Sequence, residues 1–332
     1  MEKVLRVAVV GCGAIAPNHI NGILSAGHKV CALCDIDPAN AEALAGKFAL
    51  DTEIYTDYIG MLESERPDSV HICTPHYLHA EMCIEALSRG INVLCEKPLC
   101  INREQIASVV AAADKSSATL GVCLQNRYEP KIKKLFELAG SEPKAALGVV
   151  SWKRDAAYYA SGEWRGKTLT EGGGVMINQA IHTLDLLALL AGEAKCVTAH
   201  VSNDSLKGVI EVEDTASALF ETNDGRRFNF FATNACGGSF PAQIHVVTKD
   251  GDKLYADTKL IMKNGVPVET DDVCGEQIGK AVWGRGHAIL ISDFYRCMLS
   301  GEKFPIDARE GSKVLRLIFS MYESNGEKTD IC

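Results

Sequence analysis

The sequence predicts an α/β protein in two parts. Residues 1–124 read as a doubly wound parallel sheet with helices on both faces, and residues 125–332 as an α/β domain with a mainly antiparallel sheet. Three observations predict this. Short apolar runs at 4–10, 29–34, 69–73, 91–95 and 119–124 alternate with helical patterns, the rhythm of strand–helix–strand crossovers. The first run ends in Gly11-Cys12-Gly13-Ala14-Ile15-Ala16, a glycine turn that opens a helix. Past residue 125 the rhythm changes to alternating segments near 147–154, 196–203, 215–221, 227–233 and 243–249, with turns at Gly225 and Asp250-Gly251.

The glycine turn asks for small residues at set places. Gly11 makes the tight turn out of the strand, Gly13 leaves room for a pyrophosphate, and Ala16 lets the helix pack close. The N–H groups that open the helix, at Ala14 and Ile15, then face phosphates. Asp35 ends the second run about 20 residues past the glycines, where a ribose diol is expected. The pattern therefore predicts a dinucleotide site of the Rossmann type. NAD is expected over NADP, because Asp35 would repel a 2′-phosphate and no lysine or arginine follows within five residues.

Farther along, Asp37 with Pro38 starts a helix, and Asn102 with Gln105 makes a capping box. Cofactors lie outside the carboxyl ends of such strands. That draws in Thr74-Pro75-His76, with His79 packing nearby, and Glu96-Lys97-Pro98. A helix is expected from Pro130 to Leu138, one strongly apolar helix over about 174–190, and two closing helices over about 287–300 and 309–324.

Composition narrows the function. Lys and Arg number 34 against 43 Asp and Glu, a net charge of −9, which argues against nucleic acid or an anionic membrane as partner. No signal peptide is visible, and the apolar stretch Val175–Leu190 is interrupted by Asn178, Gln179, His182 and Asp185. Most of the 13 cysteines lie in apolar runs, as Cys73, Cys95 and Cys123 do, so a reducing cytoplasm is expected. Cys31 and Cys34 share a strand but face opposite ways, and no His, Cys and carboxylate set has metal spacing.

Two stretches carry chemistry. Lys97 ends a strand, where burial and a nearby positive charge would let it exchange protons near neutral pH; the alternative is a surface lysine. Gly172-Gly173-Gly174 precedes the apolar helix, on which Asn178, His182 and Asp185 fall on one stripe. A buried polar stripe needs partners, which an active site supplies; the alternative is a core histidine held by Asp185 or a carbonyl. Tyr158-Tyr159 and Trp164-Arg165 suit a sugar's apolar face and a ligand anion, or equally a packed loop. Trp283-Gly284-Arg285-Gly286-His287 is a similar loop, and His71 reads as structural.

Together these motifs resemble the Gfo/Idh/MocA oxidoreductases: the glycine turn, Cys73-Thr74-Pro75 with His79, Glu96-Lys97-Pro98, Gly172-Gly173-Gly174 through His182 to Asp185, and Gly286-His287 to Tyr295. The resemblance covers essentially the whole chain. It implies a Rossmann domain, then an α/β domain whose open, mostly antiparallel sheet often forms a homodimer or homotetramer contact. It implies NAD(P)-dependent oxidation or reduction of sugars, cyclitols or sugar nucleotides. Lys97 and His182 match the catalytic positions, and the Lys97–Pro98 bond is often cis in relatives. Gly11, Gly13, Ala14, Ile15, Asp35, Thr74, Pro75, His79, Glu96 and Lys97 would hold cofactor. Lys97, Trp164, Arg165, Asn178, His182 and His287 would hold substrate. Many relatives carry aspartate where this chain has Asn178, which departs from the inositol-dehydrogenase type. Tyr158-Tyr159, Trp164-Arg165 and Asn178-Gln179 look more like a branch that includes sugar-nucleotide dehydrogenases. Three readings stay open: a sugar dehydrogenase, a redox-assisted glycosidase or lyase, and a silent NAD-binding regulator.

Overall fold

A computed structural model describes residues 3–192, 194–270 and 285–331. The chain begins with β1 (Arg6–Val10), α1 (Ala16–Ser25), β2 (Lys29–Cys34), α2 (Pro38–Phe48), β3 (Glu53–Tyr55), α3 (Tyr58–Glu65), β4 (Ser69–Ile72), α4 (His79–Ser88), β5 (Asn92–Cys95), α5 (Arg103–Lys115) and β6 (Leu120–Val122). Then come α6 (Pro130–Ala139), β7 (Ala145–Ser151), α7 (Ala156–Ala160), α8 (Thr168–Glu171), α9 (Val175–Asn178), α10 (Ile181–Ala191), β8 (Ala194–Ser202), β9 (Thr215–Thr222) and β10 (Arg227–Thr233). The remainder is β11 (Phe240–Val247), β12 (Lys253–Ala256), β13 (Ile261–Lys263), β14 (Val266–Pro267), α11 (Gly286–Ser300), α12 (Ala308–Ser324) and β15 (Thr329–Asp330).

These elements form two compact units. The first holds the chain to Cys100, Glu104–Gln125 and the later segment that ends at Gly311. The second holds Ile101–Arg103, the described residues from Asn126 to Thr270, and Ser312–Ile331.

The first unit is a six-stranded sheet in the order β3-β2-β1-β4-β5-β6. Its pairings are parallel, as the crossovers predict. Strands β1 and β4 are buried on both faces, which is why they read as unbroken apolar runs rather than alternation. Asp37 caps α2 by accepting from the Ala39 N–H, with Pro38 at the first helical position. Helix α11 packs on α1 at Gly22, where a Cβ would come within 2.5 Å of Ile291. Gly121 on β6 likewise admits the rings of Phe294 and Phe304. Strand order reverses between β1 and β4, so the ligand crevice of this sheet type opens at their carboxyl ends.

The second unit is a nine-stranded sheet ordered β14-β13-β12-β11-β7-β10-β9-β8-β15. All its pairings are antiparallel except β7 with β10. Strand β9 alternates half-buried and buried residues and β10 exposed and buried ones, the mark of a sheet covered on one face. Helix α10 lies on the covered face and meets β7 at Gly148.

The single apolar helix expected over 174–190 is a misreading that the structure corrects. The chain breaks between α9 and α10, and the segments Thr168–Asn178 and Ile181–Ala191 meet at 60°. The Ala180 N–H reaches back to the Val175 carbonyl, closing a wider turn than an α-helix has. Asn178 and Gln179 sit at the break because their side chains are drawn aside to polar partners.

The packing at Gly148 yields a test. A Cβ there would lie 2.7 Å from both Thr183 and Leu187. Gly148→Val should cost about 1–3 kcal/mol in urea unfolding, the usual range for overpacking. An unchanged midpoint would mean that α10 can lift from β7 freely.

Candidate active site

The cofactor half can be built from strand ends in the first unit. Gly11 has φ +84°, and a Cβ there would lie 2.6 Å from the Cys73 carbonyl, so glycine is required twice over. Around Gly13 a Cβ would meet nothing within 4 Å, and Gly13 and Ala14 are exposed, with Ile15 half-buried. That open ledge at the start of α1 fits a dinucleotide's phosphates. Asp35 ties the ledge to β2: its carboxylate accepts from the Cys12 N–H at 2.7 Å, the Asp37 N–H at 3.0 Å and Asn40 at 3.2 Å. Ile36, next to it, is 92% exposed.

Two neighbouring strand ends are tied together. His79 is fully buried and bridges the Thr74 carbonyl (2.8 Å) and the Pro98 carbonyl (2.7 Å). It therefore links the turn after β4 to the turn after β5, while Thr74 and Pro75 stay half-buried. The Lys97–Pro98 bond is cis, and Lys97 is half-buried.

Behind Lys97 lies a buried polar chain that the sequence does not announce. Glu96 Oε2 accepts from the Lys97 backbone N–H at 3.2 Å. Glu96 Oε1 meets His19 Nε2 at 2.9 Å and His287 Nε2 at 3.2 Å. His19 Nδ1 meets His71 Nδ1 at 2.9 Å, and His71 Nε2 meets the Tyr295 hydroxyl at 2.8 Å. Burial would raise the Glu96 carboxyl, but the two imidazoles outweigh it and hold it well below the usual range. Burial pushes His19 and His71 down, His71 furthest. An ionised Glu96 and two neutral rings leave one donor order. Tyr295 donates to His71, His71 from Nδ1 to His19, and His19 from Nε2 to Glu96.

Cys123 Sγ joins His19 and Glu96 in a group whose ligand atoms lie within 4.8 Å of one another, a set that spacing alone could not reveal. Burial, then Glu96, pushes that thiol well above its ordinary pKa, which opposes metal binding. In that order His19 already gives its Nε2 proton to the carboxylate.

The second unit carries the other candidate residues. Gly173 and Gly174 leave no room for a side chain: a Cβ would overlap the Tyr322 hydroxyl at one and the Glu213 carbonyl at the other. The Glu213 carboxylate holds this turn, accepting from the Gly174 N–H (2.8 Å), the Met176 N–H (3.0 Å) and the Tyr322 hydroxyl (3.0 Å). Burial raises Glu213 to about 7 against the pull of those donors. His182 stands half-buried in the first turn of α10.

Because the helix is broken, Asn178 does not share a stripe with His182. Its amide donates to Glu171, and it lies 3.4 Å from the Tyr158 hydroxyl. An aspartate there would set a second carboxylate against buried Glu171. Asp185 is engaged by Arg127, with Oδ2 accepting from Nε at 2.7 Å and Oδ1 from Nη2 at 2.5 Å. Trp164 and Arg165 are half-buried beside Tyr158.

His287, expected among the substrate contacts, is buried inside the first unit with Nε2 on Glu96. Trp283 and Gly284 of the same loop lie outside the described residues. Sequence reasoning missed His19, Glu171, Glu213 and Arg127, and named Tyr295 only as the end of a motif. Only His19 had a usable signal, being a polar residue on the buried face of a helix that follows the glycine turn.

Residues 5–124 match the oxidoreductase family with the NAD-binding Rossmann fold, GFO_IDH_MocA, and residues 142–252 match the GFO/IDH/MocA C-terminal domain. The chain belongs to the Gfo/Idh/MocA family. It is an NAD(P)-dependent oxidoreductase. A D-xylose 1-dehydrogenase (NADP(+)) of Haloferax volcanii is 25% identical over 336 residues, 98% of this chain and 97% of its own. A D-glucoside 3-dehydrogenase of Escherichia coli is 30% identical over 202 residues, 59% of this chain and 57% of that protein. The WlbA dehydrogenase from Bordetella pertussis, solved with NADH and UDP-GlcNAcA, superposes with a TM-score of 0.86 at 26% identity, covering 100% of this chain and 99% of that one.

The polar chain makes stability in this Gfo/Idh/MocA protein depend on pH. His19 and His71 have folded pKa values below their unfolded ones. Their contribution is complete above the unfolded value of about 6.5 and is lost as pH falls below it. Urea unfolding should therefore weaken from neutrality toward pH 5.5. His71→Gln should reduce that slope by up to about 1.4 kcal/mol per pH unit, one proton's worth. An unchanged slope would mean that His71 is already charged in the folded chain.

Proposed function

We propose that the chain transfers a hydride between NAD and a ring hydroxyl carbon of a sugar or sugar derivative. One observation carries the reading. Strand order sets the carboxyl ends of β2, β1, β4 and β5 side by side, gathering Asp35, the Gly11–Ala16 turn, Thr74-Pro75 and Lys97 on one edge of the sheet. Likeness to the xylose and glucoside dehydrogenases supports a sugar substrate, and likeness to WlbA bound to UDP-GlcNAcA supports including sugar nucleotides.

When bound, nicotinamide supplies the hydride acceptor or donor. The chain's own residues do the rest. Gly13, Ala14 and Ile15 receive the phosphates, Asp35 the adenosine ribose, and exposed Ile36 offers an apolar face to the adenine. Thr74 and Pro75 would hold the nicotinamide end, positioned by buried His79. Glu96 fixes the Lys97 backbone, and Lys97 takes the hydroxyl proton as hydride leaves the carbon. His182 is assigned the assisting role, and Asn178, Trp164 and Arg165 the positioning of substrate. His287 acts through Glu96.

The exposed face of the second unit's sheet carries Leu147, Phe231 and Val247, which supports a homo-oligomer contact there. Eleven free thiols among the described residues support a reducing compartment such as the cytoplasm. No single helix among the described residues is long and apolar enough to cross a membrane.

Two tests follow from the cofactor edge. NADH should bind more tightly than NADPH, because Asp35 would repel a 2′-phosphate and residues 36–40 include no cation. Tighter NADPH binding by titration would overturn the assignment. Lys97→Met should keep NADH affinity while single-turnover hydride transfer falls about 100-fold, the scale of a general base. A near-normal rate would remove Lys97 from the chemistry. Net NADH accumulation with a sugar separates this reading from redox-assisted elimination.

A further inference from the structure

A five-layer stack of side chains stands in the second unit: Trp152, Arg154, Tyr158, Arg165 and Trp164. The Arg154 guanidinium lies 4.9 Å from the Trp152 ring centroid and 4.3 Å from that of Tyr158. The Arg165 guanidinium lies 4.6 Å from Tyr158 and 4.6 Å from Trp164. Each cation is thus sandwiched between two aromatic rings, which fixes its plane and leaves its N–H edge to bond.

Neither guanidinium has a carboxylate within ion-pair distance among the described residues. The nearby acids are committed elsewhere. Asp155 caps α7 by accepting from the Tyr158 N–H at 3.0 Å. Glu171 accepts from the Gly166 N–H and the Asn178 amide. Glu213 holds the glycine turn. Arg154 gives Nη1 to the Lys153 carbonyl at 3.2 Å, and Arg165 gives Nη1 to the Tyr158 hydroxyl at 2.5 Å. The Nε atom of each arginine is buried with no partner. Two planar cations with donors to spare, in a chain of net charge −9, call for an anion from outside.

The stack is also joined to the candidate substrate residues. The Tyr158 hydroxyl lies 3.4 Å from both the Asn178 and Gln179 amides, at the break just before His182. Gln179 in turn accepts from Asn234 at 3.1 Å.

We propose that Arg154 and Arg165 form an anion subsite, so that the preferred substrate is a sugar bearing a carboxylate or a phosphate rather than a neutral sugar. The proposal rests on reading the second unit as the substrate-binding part. Both guanidiniums stack on Tyr158, so an anionic group beside that ring can draw a charge-assisted bond from either. The aromatic layers replace the carboxylates that would otherwise neutralise them.

The test titrates NADH-loaded protein at low salt with glucose, glucuronate and UDP-glucose, by calorimetry. At least one anionic probe should bind about tenfold or more tightly than glucose. The tighter of glucuronate and UDP-glucose identifies a carboxylate or a phosphate as the source. Arg154→Gln/Arg165→Gln should abolish the preference while NADH still binds. Raising salt should weaken the anionic probe in the wild-type chain and leave glucose unmoved, a readout that needs no variant. Equal affinity for all three, no binding of either anionic probe, or a preference that survives the double substitution overturns the proposal. NADH formation from the same sugars is scored separately. Anion-selective binding without hydride transfer would sink the dehydrogenase reading alone, and hydride transfer without anion selectivity would sink this one alone.

Discussion

One ionised carboxylate, closed off inside the first unit, sets the order of what surrounds it. Glu96 is 6% exposed, and a bare charge at that depth would not survive. It persists because His19 comes from α1, His287 from α11 and the Lys97 N–H from the chain itself. Three separate stretches must therefore arrive together. Each proton down the chain is then fixed by the one before it, ending at the Tyr295 hydroxyl. A network of this kind specifies one arrangement sharply, since any member left unsatisfied is costly in a medium of low dielectric. The same carboxylate that organises the interior also holds the backbone of Lys97, so Lys97 takes its place from the core.

The second unit solves a similar problem by other means. Its glycine turn has no side chains to hold it, and a carboxylate from the chain before β9 supplies acceptors to the N–H groups of Gly174 and Met176. Glu171 does the same for Gly166. Acids spent on backbone are not available to cations, and Arg154 and Arg165 are held by aromatic faces instead. A local shortage of counter-charge in an acidic protein is thus a consequence of how the turn is built.

Much of the fold could be read from pattern, for physical reasons. Buried parallel strands give unbroken apolar runs, and Gly11 was legible because a tight turn against the Cys73 backbone tolerates nothing larger. Strand β3 escaped notice because three residues, Glu53-Ile54-Tyr55, at a sheet edge carry no period. Strands β12 to β14 are also short, at one end of their sheet. The break at Gln179 was invisible because apolar residues on both sides satisfy a helical period, while the polar partners of Asn178 and Gln179 at the bend, Glu171, Tyr158 and Asn234, all lie outside that run. The candidate site divides the same way. Lys97 and Asp35 follow from strand ends. The partnership of residues 19, 71, 96, 287 and 295 depends on α11 returning to α1, which Gly22 permits but does not announce.

The central claim is that neutral histidines hold Glu96 as an anion with a single order of protons. Nitrogen-15 NMR of the histidine-labelled chain at neutral pH tests it without a substrate. The account predicts that His19 and His71 are both neutral, with His19 protonated on Nε2 and His71 on Nδ1. An imidazolium at either position, or the opposite tautomers, would contradict it.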